Sequence, residues 1–132
     1  MSWIAAYVAA AAVLLGLESA WLGMIAKPLY QREIGGLLLD RPNLAAAGAF
    51  YAIYLGGVVV FAVRPALEAG SWSRAAVLGA LLGLVAYATY DLTNLATLKG
   101  YSARVVIADL AWGTFATTIA ALAGYAAGAR IS

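Results

Sequence analysis

The chain contains no cysteine and no histidine. Without thiols it forms no disulfide, carries no thiolate nucleophile and offers no sulfur ligand to a metal. Without imidazole, a histidine-ligated haem, a histidine-rich zinc or di-iron site and a Ser-His-Asp triad are excluded. No metal site and no cofactor are therefore expected within the chain. Charge is scarce too. Only 11% of the 132 residues are charged, the formal net charge is +2, and 65% are hydrophobic. A soluble domain uses about a quarter charged and about half apolar residues. No basic run suggests nucleic acid as a partner.

So much apolar surface cannot be hidden in a water-exposed fold of this size. The bilayer is the expected solvent and first partner. A span needs about 20 apolar residues, so the chain has room for four spans and short loops in one domain. Spans are expected over 3–26, 44–63, 74–98 and 103–129. The fold class is all-α, an integral membrane four-helix bundle with a short interfacial segment after the first helix.

Turn and interface residues mark the ends. Trp3 and Tyr7 suit an interface belt, and Lys27-Pro28 closes the first span. The first span lacks a basic leader and is interrupted by Glu18, so it reads as retained rather than cleaved. Tyr30, Ile34, Leu37 and Leu38 recur at helical spacing opposite Gln31, Arg32 and Glu33, as in a short helix lying in the interface plane. Pro42-Asn43 and Arg64-Pro65 bound the second span. That span holds no charge and is expected to face lipid or a partner subunit. Gly70-Ser71-Trp72-Ser73 signals a turn and a helix start, and Lys99 to Ser102 a tight turn. Small residues at Ala5, Ala9, Ala12 and Gly16, at Gly79 and Gly83, and at Ala116, Ala120, Gly124 and Gly128 form stripes that let helices approach closely. Thr114, Thr117 and Thr118 can bond back to their own helix.

The polar exception is the run Tyr87 to Thr97, which places Asp91, Asn94, Thr93, Tyr87 and Tyr90 inside a span. Such groups persist in hydrocarbon only where other protein groups receive them. Glu18 and Asp109 lie in other spans at matching depth. At about 1.5 Å per residue the three acids sit roughly 12, 10 and 9 Å from the ends facing loops one and three. The bundle is therefore expected to bring Glu18, Asp91 and Asp109 together. Glu18-Ser19-Ala20-Trp21 and Asp109-Leu110-Ala111-Trp112 share a pattern, acid-x-Ala-Trp, and Asp91 has Asn94 at the same spacing. Residues i and i+3 share a helix face, so Trp21, Trp112 and Asn94 are expected to steady the acid on their own helix. Lys27, Arg32, Arg41, Lys99 and Arg104 outnumber Arg64, Arg74 and Arg130. That excess orients loops one and three toward the cytoplasm and both termini toward the periplasm.

The segments Leu17 to Gly23, Arg64 to Leu67, Tyr87 to Leu98 and Asp109 to Thr114 together resemble a family of small bacterial membrane proteins, domain of unknown function 2177. The resemblance covers nearly the whole chain, and the run Tyr90-Asp91-Leu92-Thr93-Asn94-Leu95-Ala96-Thr97 is specific. Where the family commonly has Asp in the first helix, this chain has Glu18, one methylene longer. The resemblance implies a four-span inner-membrane protein. It also implies company, since relatives are often encoded beside genes for fatty-acyl modification, including cyclopropane-synthase-like methyltransferases.

Four functional readings stand side by side. In the first, the acids pair with Lys27, Lys99 or Arg104 and simply lock the bundle, with Trp21, Trp112, Tyr87 and Tyr90 as packing residues. In the second, the cluster binds the polar end of a lipid-like or fatty-acyl ligand, as an enzyme or accessory subunit. Asp91 is then the central acid/base with Glu18 and Asp109 as partners, Asn94 orients, and Tyr87, Tyr90, Thr93, Trp21 and Trp112 contact the ligand. In the third, the acids serve proton-coupled transport by a homo-oligomer. In the fourth, the chain is a structural subunit of a larger membrane complex.

Overall fold

A computed structural model describes residues 2–39, 41 and 43–131. Pro42, half of the expected boundary before the second span, lies outside the described residues. Helix α1 (Ser2–Ala20) ends in a π-helical turn, Trp21–Ile25. The short α2 (Lys27–Ile34) follows at once and finishes in a 3-10 turn, Gly35–Leu37. Helix α3 (Leu44–Val58) passes through a second π-helical turn, Val59–Val63, into α4 (Arg64–Ala69). Then come α5 (Trp72–Thr97) and α6 (Ala103–Ile131). Among the described residues there is no strand. Four stretches are long and apolar enough to cross a bilayer: Ser2–Ile25, Leu44–Ala69, Trp72–Thr97 and Ala103–Ile131.

Both π-helical turns precede a proline. A proline lacks the N–H of a helical residue, and its ring crowds the carbonyl four positions back. Widening the preceding turn relieves that conflict. The Arg64 N–H accordingly reaches back to the Val59 carbonyl, and the Ala26 N–H to that of Trp21. The second span therefore does not stop at Arg64-Pro65. It continues to Ala69 and ends only at Gly70, whose φ of +62° favours glycine. Ser71 and Asn43 cap the following helices, accepting from the Arg74 and Ala46 amides.

Helix α6 is the hub. Its buried face carries Ala116, Ala120, Gly124 and Gly128, the stripe read in the sequence. Gly79 and Gly83 of α5 pack against it so tightly that a Cβ at Gly83 would lie 2.4 Å from the Gly113 carbonyl oxygen. The stripe on α1 falls elsewhere than expected. Ala6, Ala10 and Leu14 are fully buried, whereas Ala12 and Gly16 are exposed. In this alanine-rich segment two faces carry small residues, and the one bearing Leu14 buries more apolar surface. Tyr7 is not a free interface residue either, since it donates to the Ala52 carbonyl at 3.0 Å. Trp3 lies under the Arg64 guanidinium, 5.6 Å from ring centroid to cation.

The uncharged part of the second span, 44–63, is not turned wholly outward. Tyr54, Leu55, Val58, Val59, Ala62 and Val63 are buried on one side, while Ile53 and Phe61 are exposed on the other. Its two tyrosines point into the bundle because a hydroxyl facing hydrocarbon finds no partner. Tyr54 pairs with Thr117, and among the described residues Thr117 makes no bond back to its own helix. Thr114 and Thr118 do, to Leu110 and Thr114.

Candidate functional site

Three helices deliver the acids to the same end of the bundle, and all three are buried: Glu18 and Asp109 are 7% exposed, Asp91 is 0%. They do not form one triad. Glu18 has its own setting, accepting from Tyr51 (3.0 Å), Tyr87 (3.1 Å) and the Trp112 indole (2.8 Å). Asp91 and Asp109 form a second group and lie within electrostatic reach of each other. Tyr101 donates to Asp91 at 3.1 Å, and Tyr30 donates to Asp109. The Trp21 indole in turn donates to the Tyr30 hydroxyl at 3.1 Å.

The tryptophans are thus crossed. Trp112, three residues after Asp109, serves Glu18, and Trp21, three residues after Glu18, serves Asp109 through Tyr30. Residues i and i+3 share a helix face, but an indole is long enough to carry its N–H beyond that face to the neighbouring helix. The two rings meet midway, stacked with centroids 4.7 Å apart and planes 5° apart. This stack joins the two acidic groups into one assembly.

Among the described residues none of the three acids is ion-paired. The ion pairs there are Arg32 with Glu33 and Arg64 with Glu68. Lys27, Lys99 and Arg104 therefore do not neutralise the cluster, contrary to the first reading. Phenol and indole donors take the place of cations. Asp91 Oδ2 is buried and has no hydrogen-bond partner among the described residues.

The acids adjoin a cavity of about 500 Å³. Its deep wall includes Glu18, Asp109, Tyr87 and Trp112, and its rim includes Leu22, Leu38, Phe50 and Tyr90, all more than a third exposed. Asp91 lies behind this wall and does not line it. Asn94 is half-buried beside the Tyr101 hydroxyl. Thr93 stays outside, its hydroxyl returned to the Thr89 and Tyr90 carbonyls of its own helix. Of the ligand-contact candidates, Tyr87, Tyr90, Trp21 and Trp112 meet at the cavity, and Asn94 and Thr93 do not.

Tyr30, Tyr51 and Tyr101 were not singled out for the site by sequence. The signal for Tyr51 was its place in an otherwise apolar span, where a hydroxyl needs a partner. Tyr30 arrives on α2, and Tyr101 follows Gly100, whose φ of +76° turns the chain back over Asp91. Burial, and then the Asp109 carboxylate, push the Tyr30 phenol above its ordinary value; burial is also the main cause of the upward shift at Tyr101. Both hydroxyls stay protonated and able to donate. Ser102 donates to Glu33 at 2.6 Å, tying the loop-three turn to α2. That bond, with help from Arg104 and Arg32, holds the Glu33 carboxyl below its usual value.

Among the described residues no cluster of three or more acids suits a metal ion. The cavity is instead an apolar-rimmed pocket in a bundle of four candidate membrane spans. Residues 3–126 match the family described as "Predicted membrane protein (DUF2177)". The chain belongs to that family. No curated protein and no solved structure matches it.

Proposed function

We propose that this is a multi-pass protein of the bacterial inner membrane that holds a lipid-like amphiphile in the 500 Å³ cavity. The observation that carries this reading is the polarity of the pocket: carboxyl, phenol and indole groups at depth, and exposed apolar side chains at the rim. Ligand pockets span about 300–1,000 Å³ and are mostly apolar with few convergent polar groups. The amphiphile's polar end rests against Glu18 and Asp109, and its tail leaves past Leu22 and Phe50. Asp91 backs Asp109 rather than touching the ligand, so any acid/base role at the ligand falls to Asp109 or Glu18. The protein acts either on this ligand or as the accessory subunit that presents it. The basic residues of loops one and three orient these loops toward the cytoplasm.

Mass spectrometry of lipids retained after purification in mild detergent tests this. A defined lipid should accompany the wild type at near-stoichiometric amount and be depleted from Glu18→Gln. Retention of only bulk membrane lipid, unchanged by the substitution, would reject the reading.

A second reading, proton-coupled transport by an oligomer, draws on Asp91, fully buried beside Asp109 with one oxygen that has no partner among the described residues. Proteoliposome proton flux that ignores Asp91→Asn and Asp109→Asn would reject it.

A further inference from the structure

Among the described residues the cavity is lined by two carboxyl groups and no base. Glu18 and Asp109 line it, and no lysine or arginine among the described residues does. Lys27 lines an adjoining groove on α2 and is itself exposed to the surroundings. Neither Glu18 nor Asp109 has an ion-pair partner among the described residues. Glu18 accepts from two phenols and an indole, Tyr51, Tyr87 and Trp112, so its hydrogen bonds come from neutral groups and bring no positive charge. The rest of the wall is strongly aromatic, with Trp21, Tyr30, Phe50, Tyr87, Tyr90 and Trp112.

Three kinds of polar head can be compared. A phosphate or a fatty carboxylate would add like charge to two buried acids, which is repulsive at low dielectric. A neutral head would leave both acids without a counter-charge. A cation satisfies the acids and is also attracted by aromatic rings, whose faces carry negative electrostatic potential. We infer that the ligand of this cavity is a cationic amphiphile, with an amine or quaternary ammonium head between Glu18 and Asp109 and an apolar tail passing Leu22 and Phe50. The inference rests on the lipid-like reading of the cavity and narrows it to one head-group charge.

The test uses the full chain in zwitterionic lipid vesicles with Trp3→Phe and Trp72→Phe, so that tryptophan fluorescence comes from Trp21 and Trp112 alone. It is titrated below micellar concentrations with dodecyltrimethylammonium, dodecanol, dodecanoate and tetramethylammonium. The ammonium amphiphile should bind saturably, at least about tenfold more tightly than the alcohol of equal tail, with dodecanoate weakest. Glu18→Gln and Asp109→Asn should each weaken the ammonium about tenfold and leave the alcohol unchanged. Equal affinity for ammonium and alcohol, or tighter binding of dodecanoate, overturns the cationic assignment while the lipid reading stands. No saturable response to any amphiphile overturns both. Tetramethylammonium binding as tightly as its dodecyl analogue shows a free-cation site and overturns the amphiphile. Thermal melts identify any variant that does not fold, and in that case the wild-type comparison of ammonium with alcohol still decides.

Discussion

Trp21 and Trp112 lie face to face at 4.7 Å, each three residues beyond one acid and hydrogen-bonded toward the other. The stack is the cross-brace between α1 and α6 at the level of the acids. Trp112→Phe removes a donor from buried Glu18 and should cost about 1–3 kcal/mol. Trp21→Phe leaves the Tyr30–Asp109 bond in place and should cost less, about 1 kcal/mol. Both should remove the same coupled-indole band from the circular dichroism spectrum. Unfolding in mixed micelles measures the costs, and a band surviving either change would show that the rings do not stack.

Gly113 holds the Tyr87 ring against α6. A Cβ there would lie 2.3 Å from the Tyr87 ring. Gly113→Ala should therefore displace Tyr87, break its bond to Glu18 and destabilise the chain by about 1–3 kcal/mol. Gly48, with no described residue within 4 Å of its would-be Cβ, is the control. Gly48→Ala should leave stability unchanged or slightly raised.

Asp91 and Asp109 answer differently to loss of charge and loss of shape. Asp91→Asn keeps an acceptor for Tyr101 and adds a donor beside Asp109, where Asp91 now has an unpartnered oxygen. It should be within about 0.5 kcal/mol of wild type or more stable. Asp91→Ala strands the Tyr101 hydroxyl and leaves a void, costing about 1–3 kcal/mol. Equal destabilisation by both substitutions would mean that the charge itself is required.

Alkaline titration probes the tyrosines that descend from the loops. Tyr30 and Tyr101 are both raised above the ordinary phenol value of 10.0, first by burial. An unfolded phenol loses its proton near pH 10 while the folded one keeps it, so unfolding becomes easier as pH rises. The stability from these groups should be fully present below about pH 10 and decline above it. Tyr30→Phe should flatten that decline in stability measured against pH, and an unaltered slope would contradict the account. Glu33 runs the other way: its lowered carboxyl makes the link to Ser102 persist at neutral pH and fail as pH falls through its folded value.

The four spans and the three acids were legible because each leaves a local mark. Apolar length marks a span, and an acid within it stands out against Ala, Leu and Gly. Periodicity tells which residues share a face but not which neighbour that face meets. Hence the Trp21 and Trp112 pairing with the opposite acid was invisible, as was the choice between two alanine faces on α1. Tyr30 and Tyr101 escaped for a different reason: they come from connections whose path depends on the packed bundle. Pro65 read as a stop because the π-helical turn that accommodates it has no sequence signature of its own.

On the proposed function, the space bounded by Glu18, Asp109, Trp112 and Phe50 holds a ligand. Crystallisation from lipidic mesophase after mild extraction tests it most directly, through a density map of that space. An elongated feature running from the Glu18 and Asp109 carboxyls past Leu22 toward the bilayer is the expected result. A cavity filled by ordered water alone, or closed by α2 folding onto Phe50, would contradict it.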